Sequence, residues 1–142
     1  MRLSNADTAK RALVTLLAAQ TQTAEPLDGV QVEYVDPAQD TGRECVYLGV
    51  TRSLRSWDQD FPTEDAAFPV YVQVVDPADS PETTEQRAYV IGQVICDVMA
   101  TNKFPAGAGS WWQVVATEAV SSRSADESKT LLSLQVRVVS HL

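Results

Sequence analysis

Apolar and polar residues alternate with a period of two in five segments of this chain and recur at helical spacing in two others, in the order helix, three strands, helix, two strands. Within each strand the apolar positions stay in phase. One face of a sheet therefore has to be covered, and both helices are available to cover it. The expected architecture is α/β (α+β): one domain over residues 1–142, with a single sheet of about five strands in the order α-β-β-β-α-β-β and both helices packed on one face. A chain of this length buries about two-thirds of its unfolded surface, enough for a core without disulfide staples.

The strand signals are specific. Val30, Val32 and Tyr34 alternate with Gln31 and Glu33 across Val30–Val35. Val46, Leu48 and Val50 repeat the pattern in Cys45–Thr51, as do Phe68, Val70, Val72 and Val74 in Phe68–Val75. Trp111–Ser122 is a long strand whose alternation breaks near Glu118, which predicts a bulge or a region where both faces meet something. Thr130–His141 sets Leu132, Leu134, Val136 and Val138 against Ser133, Gln135 and Arg137. Because the connection 121–129 is polar and turn-forming, the last two strands should pair as an antiparallel hairpin.

Near the N-terminus, Arg2, Lys10 and Arg11 before the apolar run Ala12–Ala19 imitate a secretory signal. Asp7 is out of place in such a leader, and Ala9, Leu13, Leu16, Leu17 and Gln20 have helical spacing. With Ser4 and Asp7 as its capping pair, the segment reads as a folded amphipathic helix. The second helix begins where Ser80 can cap, Pro81 suits the first helical position, and Glu82 and Glu85 favour the positive dipole end. It runs to about Ala100, and Ala88, Ile91, Ile95, Val98 and Met99 form its inward stripe.

Charge and composition exclude several functions. With 11 Lys and Arg against 19 Asp and Glu, net −8, the chain lacks the clustered cations that direct nucleic-acid binding needs. No apolar run is long enough to span a bilayer, so no membrane role is expected. Catalytic groups are equally scarce. His141, the one histidine, lies next to the last residue, where a third group cannot easily orient it as a base. Cys45 and Cys96 make no ligand or redox motif and read as free buried thiols. Gly107-Ala108-Gly109-Ser110 precedes a strand instead of a helix, so it does not cradle phosphate. Asp36, Asp40, Asp76 and Asp79 belong to two Asp-Pro turns and lack calcium-loop spacing. No catalytic residue, cofactor site or metal site is expected.

The connection 52–67 is long and unusually rich, with Leu54, Trp57 and Phe61 as apolar anchors among Arg52, Arg55, Asp58, Asp60, Glu64 and Asp65. It reads as a contact arm or loop.

Ala9-Lys10-Arg11-Ala12-Leu13, Val30-Gln31-Val32-Glu33-Tyr34, Glu44-Cys45-Val46-Tyr47-Leu48-Gly49, the Phe68–Val75 strand, Glu85-Gln86-Arg87-Ala88 and Leu134-Gln135-Val136-Arg137-Val138 occur in a familiar order. Over nearly its whole length the chain resembles the tail terminator proteins of long-tailed, non-contractile phages. The neighbouring head-to-tail joining and tail completion proteins of the neck are the competing resemblance. The resemblance implies a non-enzymatic virion protein of the tail or neck. It would form a homohexameric ring at the head-proximal end of the tail tube, stop tube growth and offer a surface to the head connector. Its partners would be copies of itself, the major tail tube protein and a connector or neck protein, with DNA passing through the lumen unbound.

Within that reading, Arg52, Arg55, Trp57, Phe61 and Trp111 are the expected contacts, since aromatic and Arg anchors dominate interface energetics. Trp112 should turn into the core. Asp58, Asp60, Glu64 and Asp65 are the candidate acids for a DNA-repelling lumen. A monomeric ligand-binding module and a small thiol enzyme using Cys45 or Cys96 are the competing readings.

Overall fold

The computed structural model describes residues 4–21, 27–37, 44–58, 61–75, 81–102, 111–118 and 129–142. Its elements are α1 (Ala6–Gln20), β1 (Gln31–Glu33), β2 (Glu44–Leu48), β3 (Arg52–Asp58), β4 (Phe61–Val75), α2 (Pro81–Thr101), β5 (Trp111–Glu118) and β6 (Lys129–His141). They form an α+β fold with one six-stranded sheet, ordered β1-β2-β4-β6-β5, in which β3 also pairs with β4.

The 15-residue strand β4 organises the sheet. On one side its C-terminal part takes β2, from Leu48 opposite Val70 to Glu44 opposite Val74. Its N-terminal part takes β3 on the same side, from Asp58 opposite Phe61 to Arg52 opposite Ala67. Along its other side β6 pairs antiparallel from Thr63–His141 to Val75–Lys129. The β5–β6 hairpin is antiparallel as expected, whereas β1 joins β2 in parallel.

Both helices cover the same face. Val46, Leu48, Phe68, Val70, Val72, Leu132, Leu134 and Val136 point into one cluster with Leu13 and Leu17 of α1 and Ile91, Ile95 and Met99 of α2. Every residue expected in the α2 stripe is buried. α2 approaches β6 closely at Gly92, where a Cβ would stand 2.8 Å from Leu132 Cδ2. Lys10 lies beneath α1 with its stem buried. Its ammonium donates to the Gly49 carbonyl at 2.8 Å and sits 4.7 Å from the Tyr34 ring centre. Burial pulls its pKa below the usual lysine value.

Several boundaries depart from the sequence-based expectations. The segment 52–67 is no loop: it supplies β3 and the first half of β4, which raises the strand count from about five to six. Arg52 to Ser56 are exposed on both faces, and a strand without a buried side has no reason to alternate. β2 stops at Leu48, which leaves Val50 outside the core and 83% exposed. There the chain turns at Gly49, whose N–H donates to the Pro69 carbonyl at 2.8 Å. The bulge in β5 falls between Val114 and Ala116, earlier than Glu118.

The α1 cap also differs. Ser4 Oγ accepts from the Ala6 N–H at 3.0 Å, but the N-cap position belongs to Asn5. Asn5 turns its side chain away from the helix to Ser140 Oγ and the His141 carbonyl. Asp7 instead pairs with Arg11 and accepts from the Tyr34 hydroxyl at 2.8 Å.

A Cβ at Gly49 would meet Pro69 Cγ at 2.4 Å, and the ring cannot swing away as a flexible side chain can. Gly49→Ala is therefore expected to cost about 1–3 kcal/mol. Urea denaturation of the two proteins measures it, and an unchanged midpoint would contradict the packing at this turn.

Candidate functional site

Turned away from the helices, the other sheet face has no layer over its β3-β4-β6-β5 half among the described residues. Register places side chains on it in rows. Leu54, Asp65, Val139 and Trp111 form one, and Arg52, Ala67, Arg137 and Gln113 form the next. Arg137 ties the rows together. Its guanidinium donates to both Asp65 oxygens, at 2.9 and 2.6 Å, and lies 5.5 Å from the Trp111 ring centre. Leu54 is 77% exposed and Trp111 40% exposed, so an apolar pair flanks an oriented ion pair on an otherwise uncovered surface.

Hydrogen bonding from Arg137 holds the Asp65 carboxyl below its ordinary range against a smaller opposing effect of burial. The sign follows from linkage: a carboxylate lowered in the folded state adds stability above its unfolded pKa and loses it as pH falls through the folded value. Because both groups are solvent-screened, the pair serves orientation far more than stability. In an NMR titration Asp65 should stay ionised below the midpoint of an unperturbed aspartate, and the Trp111 indole signals should shift with it. Arg137→Gln should return Asp65 to the ordinary range.

Three of the expected contact and lumen residues meet here: Arg52, Trp111 and Asp65. Arg55 stands opposite Glu64 and so projects from the other face, where it is exposed. Trp57 and Asp58 contribute backbone to the end of β3, and Phe61 to the start of β4, while their side chains lie outside the described residues. Asp60 also lies outside them.

Glu64 is a correction. Instead of facing a lumen it is fully buried, accepting from the Asn5 backbone N–H at 2.9 Å and from the Ser53 hydroxyl at 2.6 Å. Its even position in β4 points it towards the helices, beneath the start of α1, whose free amides suit a carboxylate. Trp112 turns inward as expected, and its indole N–H donates to the Asn102 carbonyl at 2.9 Å.

Sequence reasoning missed Arg137 and Val139 as parts of this face. Alternation places Arg137 on the outer side, but only the β4–β6 and β5–β6 registers bring it to Asp65 and Trp111. The strand β3 itself was missed too, because its exposed residues look like a loop.

The groups with reactive chemistry lie elsewhere. Cys45 is buried and Cys96 half-buried, and both are free thiols. Burial, reinforced by Glu33 and Asp36, pushes Cys45 up to about 11. Burial and Asp97 raise Cys96 as well, which makes both poor nucleophiles near neutral pH. Cys96 lines a groove between α2 and β5 with Met99, Trp112 and Val114. Iodoacetamide at pH 8 should therefore modify Cys96 slowly and Cys45 only after unfolding, as mass spectrometry of native and urea-treated protein can check. His141 is exposed at the end of β6. Among the described residues, no three His, Cys, Asp or Glu side chains converge as a metal site would require. No helix among them is long and apolar enough to cross a membrane.

Comparison with protein families and with curated sequences gives no match. Among solved structures, the fold matches a chain described as "Virion of native gene transfer agent (GTA) particle" with a TM-score of 0.64. The match covers 99% of this chain and 100% of that one, at 14% sequence identity. At that identity the shared property is the fold, from α1 through β6.

Proposed function

We propose that the chain is a structural subunit of a phage-like virion, and specifically a tail terminator. In this role it assembles as a ring on the head-proximal end of the tail tube, stops its growth and presents a docking surface to the head connector. The observation that carries the reading is the end-to-end fold likeness to a chain of a virion particle, which agrees with the sequence resemblance to tail terminators. The uncovered sheet face supports it, because Trp111, Arg137 and Arg52 are the residue types that anchor protein interfaces. A ring subunit also needs lateral contacts that close and an end surface that matches the tube. DNA passing through the ring meets an acidic protein, and Glu64 and Asp65 are already committed to partners within the fold.

The test is to add purified protein to tail tubes and examine them by electron microscopy. The expected result is a ring at one end of each tube and no further elongation when tube subunits are added. Trp111→Ala should lower tube-end occupancy about tenfold or more, as loss of a central aromatic anchor does. Bare ends and continued growth would refute the terminator role. Binding to isolated heads but not to tube ends would point to the neighbouring head-to-tail joining role.

A further inference from the structure

Among the described residues, seven large apolar side chains are exposed, and four of them fall on two opposite surfaces of the domain. Leu54 and Trp111 stand at the two ends of one row on the uncovered sheet half. Tyr89 and Val90, 46% and 44% exposed, belong to α2. There Glu82, Gln86, Tyr89, Gln93 and Asp97 recur every three or four residues, all of them exposed, and so form one stripe along the helix. Because the stripe from Ala88 to Met99 faces the core, this one points away from the sheet. The two surfaces differ in charge. α2 carries Glu82, Glu85 and Asp97 against one base, Arg87, which pairs with Glu44 of β2. In the row of Leu54 and the row of Arg52, the charges are Arg52 and Arg137 against Asp65, which makes a net positive patch on a chain of net −8.

We propose that neighbouring copies in the ring meet back to face: the outer stripe of α2 of one copy lies across the row from Leu54 to Trp111 of the next. The inference deepens the ring reading above and rests on it. Two features select a second copy, in this head-to-tail arrangement, as the occupant. The first is charge. An acidic helix meets a net positive patch, whereas two sheet patches would set Arg52 against its own copy and two α2 stripes would set carboxylates together. The second is apolar fit. Tyr89 and Val90 sit midway between Glu82 and Asp97, about 11 Å from each along the axis. The row from Leu54 to Trp111 crosses four strands, about 14 Å. A helix laid along it places Tyr89 and Val90 between Leu54 and Trp111, so that all four lose water together. One flanking carboxylate then reaches the β3 end, beside Arg52. Each sheet is covered by its own helices on one face and by a neighbour's on the other, a standard layering. Because the two surfaces are different and lie on opposite sides of the subunit, the contact passes from copy to copy and closes when the rotation per copy divides the circle. It is made by side chains, and the edges of the sheet take no part in it.

A carboxylate placed at the centre of either surface blocks the contact without touching the core. Leu54→Asp blocks the sheet patch and Tyr89→Asp blocks the helix stripe. In sedimentation velocity of the full chain at millimolar concentration, the wild type should run as a discrete ring and each variant should stay monomeric. In an equimolar mixture, Leu54→Asp supplies an intact stripe and Tyr89→Asp an intact patch, which should give a one-to-one heterodimer that grows no further. Rings formed by either variant, no heterodimer in the mixture, or a monomeric wild type at that concentration would overturn the proposal.

Circular dichroism checks that each variant is folded. If one is not, disulfide trapping decides, with the linked peptides identified by mass spectrometry. Under air oxidation, Leu54→Cys and Val90→Cys proteins should link to each other about tenfold or more faster than either links to itself or to Val35→Cys, an exposed position on neither surface. Preferred links between two Leu54→Cys copies would mean paired sheet faces, and between two Val90→Cys copies paired helices; either result refutes the back-to-face contact. Tube binding separates the two readings. Wild-type rings that ignore tubes defeat the terminator role alone, and tubes capped by rings of Tyr89→Asp defeat the helix-to-sheet contact alone.

Discussion

Phe68→Ala is expected to lower the free energy of unfolding by about 3–5 kcal/mol, the usual cost of emptying a large aromatic site in a core. Phe68 is fully buried near the middle of β4, opposite Val136 of β6, and lies where α1 meets the sheet. The Lys10 ammonium stands 5.6 Å from its ring centre, so truncation leaves a cavity and also withdraws an aromatic face from a buried cationic stem. Neighbours cannot easily fill the gap, because Val70 and Ala66 are short and Val136 is fixed by its ladder. Against a total stability of about 5–15 kcal/mol for a domain of this kind, the loss is a large fraction. Urea denaturation should show a lower midpoint with an unchanged slope. A loss below about 1 kcal/mol would mean that Phe68 does not fill the site described.

The second large effect is expected at Glu64. Removing the carboxylate with Glu64→Ala leaves the buried Asn5 N–H without its acceptor and releases the Ser53 hydroxyl, at a cost of about 2–4 kcal/mol. Glu64→Gln should cost only about 1 kcal/mol, since the amide oxygen can still accept from Asn5 and the Ser53 hydroxyl can rotate to accept from the amide nitrogen. The contrast separates geometry from charge. Equal losses in both variants would show that the negative charge, rather than the pair of hydrogen bonds, holds the start of α1. Because Ser53 belongs to β3 and Asn5 to the entry of α1, the alanine variant should also speed amide exchange in both segments, well beyond the substituted residue.

Much of the fold was legible because burial imposes a period. Burial in β6 alternates from Thr130 to Ser140, with apolar Leu131 and Val139 the outward exceptions, and the stripe from Ala88 to Met99 has helical spacing, so most of the one-sided packing is written into residue order. Where burial is absent or polar, the code weakens. Exposed on both faces, β3 offered no alternation, and an inward carboxylate at Glu64 interrupted the apolar rhythm of β4 just where it would have announced a longer strand. The parallel pairing of β1 and β2 has no local signature at all. For the candidate site, the residue types Arg52 and Trp111 were readable as anchors. Their meeting with Arg137 and Asp65 was not, since these positions are brought together by register across separate strands. Asp65 looked like a free acid for the same reason.

The central pairing of this sheet joins β4 to β6, and Asn5 at the start of α1 closes on Ser140 and His141. Such distant sequence partners tie the order of folding to the order of synthesis. While the ribosome is still making α2, β4 has β2 and β3 beside it but an empty edge where β6 belongs, and α1 has no clasp for Asn5. Native closure must wait for the last strand to emerge, which favours slow, cooperative folding over stepwise growth. Until then the open β4 edge can pair with other chains, and β6 is the segment that seals it.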